Sequence, residues 1–177
     1  MLRDFNLIVS TYRNRENDCI SELWFFSREV GDTRIKISKT GLPGLLVAKT
    51  SLNPLTFVER LRAIAEKSPW DFRYILKVLP IEAVVPSTIE EISKVALKFS
   101  RRLPDQATYK IEVKIRLANL SKRDIIESIA PKIPNKVNLT NPDKIILIEV
   151  IGESTGISLL EPKDILSIQK IKMRSSS

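Results

Sequence analysis

Histidine is absent from all 177 residues, and that absence excludes more than any other feature of the sequence. It removes the commonest general base, the usual zinc ligand and every Ser-His or Cys-His nucleophile pair. Hydrolase chemistry is therefore disfavoured. Cysteine occurs once, at Cys19, so neither an internal disulfide nor a cysteine metal cluster can be built, and a buried structural thiol is expected. With five glycines in the chain, phosphate-cradling loops are scarce, and no dinucleotide fingerprint or paired-acid constellation appears. No apolar run approaches the roughly 20 residues that span a bilayer, and Met1 leads into a strand pattern rather than a signal peptide. The expectation is a cytoplasmic, non-catalytic protein with no membrane association, no metal and no cofactor.

What is present is a core-forming chain with a basic surplus. Hydrophobic residues make up 43% of the sequence and charged residues 28%, which suits a folded domain or two. Lys and Arg number 29 against 21 Asp and Glu, a formal net charge of +8. A surplus of this sign favours polyanions, through phosphate neutralisation and counterion release. The leading partner class is nucleic acid.

The first half reads as strand, helix, two strands, helix, strand. FNLIVST at Phe5 to Thr11 is β-branched and apolar, and Ile20, Leu23, Trp24 and Ser27 fall at helical spacing before Gly31. Trp24, Phe25 and Phe26 are expected in the core of this helix. Ile35 and Ile37 alternate, the turn TGLPG follows, and LLVAK completes a hairpin. Pro54 opens a second helix with Phe57, Val58, Leu61, Ile64 and Ala65 as its stripe, and Tyr74 to Leu79 supply a fourth strand. This order is that of a ferredoxin-like βαββαβ domain over residues 1–84, with Pro80 and Pro86 bracketing a connector.

A second unit is expected over residues 85–177. Ser87 or Thr88 caps a helix with Ile92, Val95, Ala96 and Phe99 inward and a cationic end at Lys98, Arg101 and Arg102. TYKIEVKIRL alternates cleanly, with Ile111, Val113, Ile115 and Leu117 on one face and Lys110, Glu112, Lys114 and Arg116 on the other. Ser121 caps a helix carrying Lys122 and Arg123 in its first turn; a short KVNL strand, the turn TNPD and two further strands follow, and the tail from Lys170 is expected to fray. Split at residue 84, the halves carry +3 and +5, which favours the second unit as the anion-binding one. Overall the class is α+β, a mixed α/β chain.

The segments KFSRRLP, TYKIEVKIR, LSKRDII, KVNLTNPDKIILIEVIG and TGISLL, in that order, resemble a THUMP domain with its mixed sheet flanked by helices. KVNLTNPD and the strand ending in KIR are the most specific pieces, and THUMP domains are commonly preceded by a small ferredoxin-like domain. The resemblance implies a tRNA-binding module similar to the stand-alone adaptor of tRNA cytidine acetylation. Its partners would be folded tRNA, around the acceptor stem, and a separate RNA cytidine acetyltransferase that makes 4-acetylcytidine. Alternatives are an RNA-binding subunit of a thiolation or methylation enzyme, or a basic protein-interaction module. The expected RNA contacts are Lys110, Lys114 and Arg116 on the strand, where Arg116 suits bidentate phosphate contact and Lys114 matches the family's neighbouring basic position. Arg101, Arg102, Lys122, Arg123 and Lys136 flank them, with Arg13, Arg15, Lys39 and Lys49 as possible extensions in the first half. Pro142 and Asp143 match the family's turn and are expected to be structural.

Overall fold

The computed structural model describes residues 1–176. It divides into two compact units, one formed by Met1–Pro80 together with the chain from Asp164 onward, the other by Ile81–Lys163.

In unit 1, β1 (Leu7–Ser10), α1 (Glu16–Glu29), β2 (Lys36–Lys39), β3 (Leu45–Lys49), α2 (Pro54–Lys67) and β4 (Lys77–Pro80) follow in the expected order. The sheet runs β2-β3-β1-β4 with every neighbour antiparallel, the pairing that a split βαβ arrangement produces. Leu7, Val9, Leu46, Ala48 and Val78 form one buried face with Leu23 and Phe26 of α1 and Phe57 and Leu61 of α2. α2 starts where the sequence says it should, because the Asn53 side chain accepts from the N–H groups of Leu55 and Thr56 while Pro54 occupies the first turn. Gly44 is fixed by sterics. Its φ is +70°, and a Cβ there would lie 2.5 Å from the Thr11 carbonyl oxygen.

Three expectations are corrected within this unit. Trp24 and Phe25 are 49% and 60% exposed; α1 buries Cys19, Leu23, Phe26 and Ser27 instead, a stripe displaced from the one that includes Trp24. The fourth strand begins at Lys77 rather than Tyr74, because the N–H groups of Arg73, Tyr74 and Ile75 all donate to the Glu22 carboxylate, at 2.6–2.9 Å. The described part of the tail does not fray. β9 (Leu166–Ser167) pairs antiparallel with β4, and α5 (Ile168–Ser175) buries Ile168 and Ile171 in the unit 1 core, with Ser167 accepting from the Lys170 N–H as its cap. Ser177 lies outside the described residues.

Unit 2 contains β5 (Ala83–Pro86), α3 (Ile89–Ser100), β6 (Tyr109–Arg116), α4 (Lys122–Ile129), β7 (Lys144–Ile151) and β8 (Ser154–Leu160). Its sheet order is β5-β8-β7-β6; β6 and β7 are parallel and the other pairs antiparallel, so the sheet is mixed. Ile92 and Ala96 of α3 and Ile125 and Ile129 of α4 cluster with Val113, Ile146, Ile148 and Val150. β7 is buried along both faces, which explains its near-continuous apolar run. The expected connector near residue 84 is instead β5, paired with β8. The expected KVNL strand reduces to one bridge between Tyr109 and Val137, because the Asn138 side chain accepts from the Thr140 and Asn141 N–H groups and turns the chain away. Both boundaries of the second unit thus differ from the expected 85–177: β5 enters it, and residues from Asp164 onward leave it.

Candidate nucleic-acid interface

The eight cations expected to touch RNA all lie in unit 2, but the fold does not gather them. Arg101 and Arg102 end α3, and Lys136 lies beside the first residue of β6, its carbonyl accepting from the Tyr109 N–H at 3.1 Å. Lys122 and Arg123 open α4, beyond the last residue of β6. Eight strand residues separate the two ends, about 23 Å at the usual rise. Lys110 belongs with the first group, and Lys114 and Arg116 with the second.

Their charges are also unequally available. Arg116 is the largest departure from expectation: its guanidinium donates to the Glu149 carboxylate of β7 at 2.7 Å, with side-chain exposures of 16% and 7%. A buried carboxylate depends on such a partner, so the first role of Arg116 is to neutralise Glu149 rather than to stand as a free phosphate arm. Lys110 pairs with Glu112 at 3.3 Å, which also accounts for that acid on the polar face of β6. Arg102 pairs with Glu82 at 2.9 Å and lies 4.7 Å above the Phe99 ring. Arg123 meets Glu127 one turn on, at 2.9 Å, an exposed pair of small worth. Lys114, Arg101, Lys122 and Lys136 are exposed and form no salt bridge among the described residues. These four remain available for phosphate.

The loop that carries Lys136 is tied down. Asn135 donates to the carbonyls of Pro104 and Ala107 at 2.8 and 2.9 Å, and Asp143 accepts from the Thr108 N–H at 2.8 Å. Pro142 is buried. Both residues of the Pro142–Asp143 turn therefore have structural tasks. At the opposite end, an open cleft of about 380 Å³ is lined by Pro86–Thr88, Leu117–Leu120, Gly152 and Glu153. Leu117, expected on the inner face of β6, instead takes a φ of +55° and turns out to solvent.

Displaced protonation equilibria fall on structural groups. Burial pushes the Cys19 thiol up to about 12, which makes it inert. Burial opposes ionisation of Asp32, but hydrogen bonds from Ser51, Thr50 and the Arg34 N–H outweigh it and hold the carboxyl below its ordinary value. Glu16 is lowered chiefly by the Gly44 N–H, and Glu161 by Lys144 and Lys163. Asp32, Glu16 and Glu161 each brace a turn or a strand end, and Cys19 packs into the unit 1 core.

In unit 1, Arg15 pairs with Asp18 and Lys49 with Asp4, both at 3.2 Å, while Arg13 and Lys39 are exposed. The return of the tail shifts the balance between the units. Through residue 176, unit 1 carries 16 basic and 10 acidic side chains, net +6, and unit 2 carries 13 and 11, net +2. The expectation that the second unit holds the greater surplus is reversed.

A sequence model of the THUMP domain matches residues 86–160, the span from the end of β5 to the end of β8. Unit 2 carries a THUMP domain. The chain is 24% identical over 168 residues to mouse THUMP domain-containing protein 1, covering 83% of this chain and 47% of that protein. With human THUMP domain-containing protein 1 it shares 27% over 111 residues, 58% of this chain and 31% of the relative. It thus spans half or less of the length of these relatives. Among solved structures, a Pyrococcus horikoshii protein superposes with a TM-score of 0.60 at 16% identity, covering 92% of this chain and 55% of that one. TrmN of Thermus thermophilus gives 0.53 at 13%, with 86% and 44% covered. A 4-thiouridine synthetase solved with RNA and ATP gives 0.51 at 15%, with 93% and 42% covered. These likenesses establish the shared fold.

Proposed function

We propose that this chain is a non-catalytic, cytoplasmic tRNA-binding adaptor that presents folded tRNA, around its acceptor stem, to a separate RNA cytidine acetyltransferase for 4-acetylcytidine formation. The observation that carries the reading is the THUMP match over residues 86–160, together with relatives named for the same domain. The supply of exposed cations supports it. Lys114, Arg101, Lys122 and Lys136 lie on rigid elements or a tethered loop at both ends of one sheet, an arrangement that suits phosphates of a folded RNA read by shape. Chemistry is assigned to the partner because histidine is absent and the displaced carboxylates and thiol serve structure.

The test is binding of whole tRNA, an acceptor-stem hairpin and single-stranded RNA of equal length across a salt series, followed by reconstitution with the acetyltransferase. Whole tRNA is expected to bind tightest, with affinity falling steeply as salt rises through counterion release. Added chain should raise 4-acetylcytidine yield without producing any alone. Equal binding of all three RNAs would sink the tRNA reading. Stimulation of a thiolation or methylation enzyme instead would move the chain to those reactions, and a salt-insensitive complex with an acidic protein would make it an interaction module.

A further inference from the structure

The charge that leaves unit 2 with the tail arrives in unit 1 beside an exposed aromatic ring. Trp70 sits on the short turn Pro69–Asp71 and is 62% exposed, the most exposed aromatic of the unit. Its surroundings are rigid. Pro69 is buried, and Phe72 is fully buried with its ring stacked on Phe26 at 3.9 Å and 4°. Immediately beyond, Glu22 holds the N–H groups of Arg73, Tyr74 and Ile75. From α5, the Lys172 ammonium donates to the Phe72 carbonyl at 2.7 Å and lies 5.1 Å above the centre of the Trp70 ring. Lys67 and Arg73 are exposed on either side in the chain, and Phe25, 60% exposed, meets Phe26 edge to face at 5.2 Å.

The core explains Pro69, Phe26 and Phe72, but it does not require an indole on the outside of the turn. A large exposed ring on a braced turn, with an ammonium over it and Lys67 and Arg73 three residues away on either side of Trp70, in the unit with the +6 surplus, is a combination suited to single-stranded nucleic acid. Stacking needs an aromatic face whose entropy is already lost, and phosphates need cations within a nucleotide's reach. Duplex bases are stacked on one another and cannot use such a ring.

We infer that Trp70 and Lys172, with Lys67 and Arg73, form a stacking platform for an unpaired nucleotide of RNA, on unit 1 and separate from the cations of the THUMP domain. The inference rests on the RNA-binding reading above and adds a subsite to it.

Tryptophan occurs only at Trp24 and Trp70, so a W24F variant reports Trp70 alone by its fluorescence. Titrating that protein with a short single-stranded oligoribonucleotide is expected to quench emission saturably, whereas a blunt RNA duplex of equal length leaves it unchanged. In the full chain, W70A should weaken single-strand binding by about five- to hundred-fold, W70F should recover most of it, and K172A should weaken it a few-fold. Circular dichroism confirms that each variant is folded. Whole tRNA is titrated in parallel. If tRNA binds and W70A holds single strands like the parent, or the duplex quenches equally, the platform is wrong and the exposed ring belongs to a protein contact. If tRNA does not bind at all, the adaptor reading fails first, and the platform stands only if the oligonucleotide still quenches Trp70.

Discussion

Unit 2 carries the family signature, and unit 1 carries the charge. The THUMP match lies wholly within the unit whose net charge is +2, and several of its cations are paired: Arg116 with Glu149, Arg102 with Glu82, Lys110 with Glu112. The unit without that match has +6, exposed aromatics on α1 and on the Pro69–Asp71 turn, and a C-terminal helix that brings cations to it from more than 80 residues away. A motif shows which module a chain contains, while the location of its electrostatic surplus depends on which segments fold together.

The contrast can be broken most severely by removing the segment that creates it. Deleting residues 164–177 exposes the core around Leu166, Ile168 and Ile171, and at about 1.5–3 kcal/mol per buried aliphatic side chain the loss should be on the order of 5 kcal/mol, concentrated in unit 1. Urea unfolding followed by amide exchange would assign the loss to one unit. Arg116→Ala comes next. It strands a buried carboxylate and should cost about 3 kcal/mol by denaturant unfolding, while Arg116→Met with Glu149→Leu should recover most of that. A variant that loses tRNA but keeps its stability would restore Arg116 as a phosphate arm.

Asp32→Ala leaves Thr50 and Ser51 without their acceptor and should cost about 2 kcal/mol. Because the folded carboxyl is held below its ordinary value, its contribution is present above the unfolded value near pH 4 and lost as pH falls through the folded one. Asp32→Asn should therefore show a shallower acid-induced decline in melting temperature below about pH 4. The smallest effects belong to Lys122→Ala and Lys136→Ala, at opposite ends of β6. Each should weaken tRNA binding about two- to five-fold and flatten the salt dependence by about one unit of slope. If only one does, a single end of the sheet meets RNA.

Much of the fold was legible because local rules and tertiary packing agree. Pro54 announces the start of α2, the alternation of Ile111, Val113 and Ile115 marks one face of β6, and the apolar run over Lys144–Ile151 marks a strand. What escaped depended on distant partners. The eight residues of α5 are too few to be stable alone, and the helix exists because Ile168 and Ile171 reach the unit 1 core. Trp24 lies one helical step from the stripe that is buried, so periodicity alone placed it on the wrong side. The Arg116–Glu149 pair joins neighbouring parallel strands separated by α4 and a long loop, and nothing in the spacing of 116 and 149 announces it. The elements that carry the expected cations were therefore readable in the sequence, whereas their ionic partners were not.

The closing strand β9 gives the two units different histories during synthesis. Residues 81–163 are continuous, so the THUMP-bearing unit is complete in sequence before the edge strand and final helix of unit 1 have been made. Of the two units, the one whose first residues are made earlier is then the later to finish, and until α5 docks, Phe72 lacks the lysine that grips its carbonyl. For that interval the nascent protein carries a finished central unit between two unfinished pieces of the other.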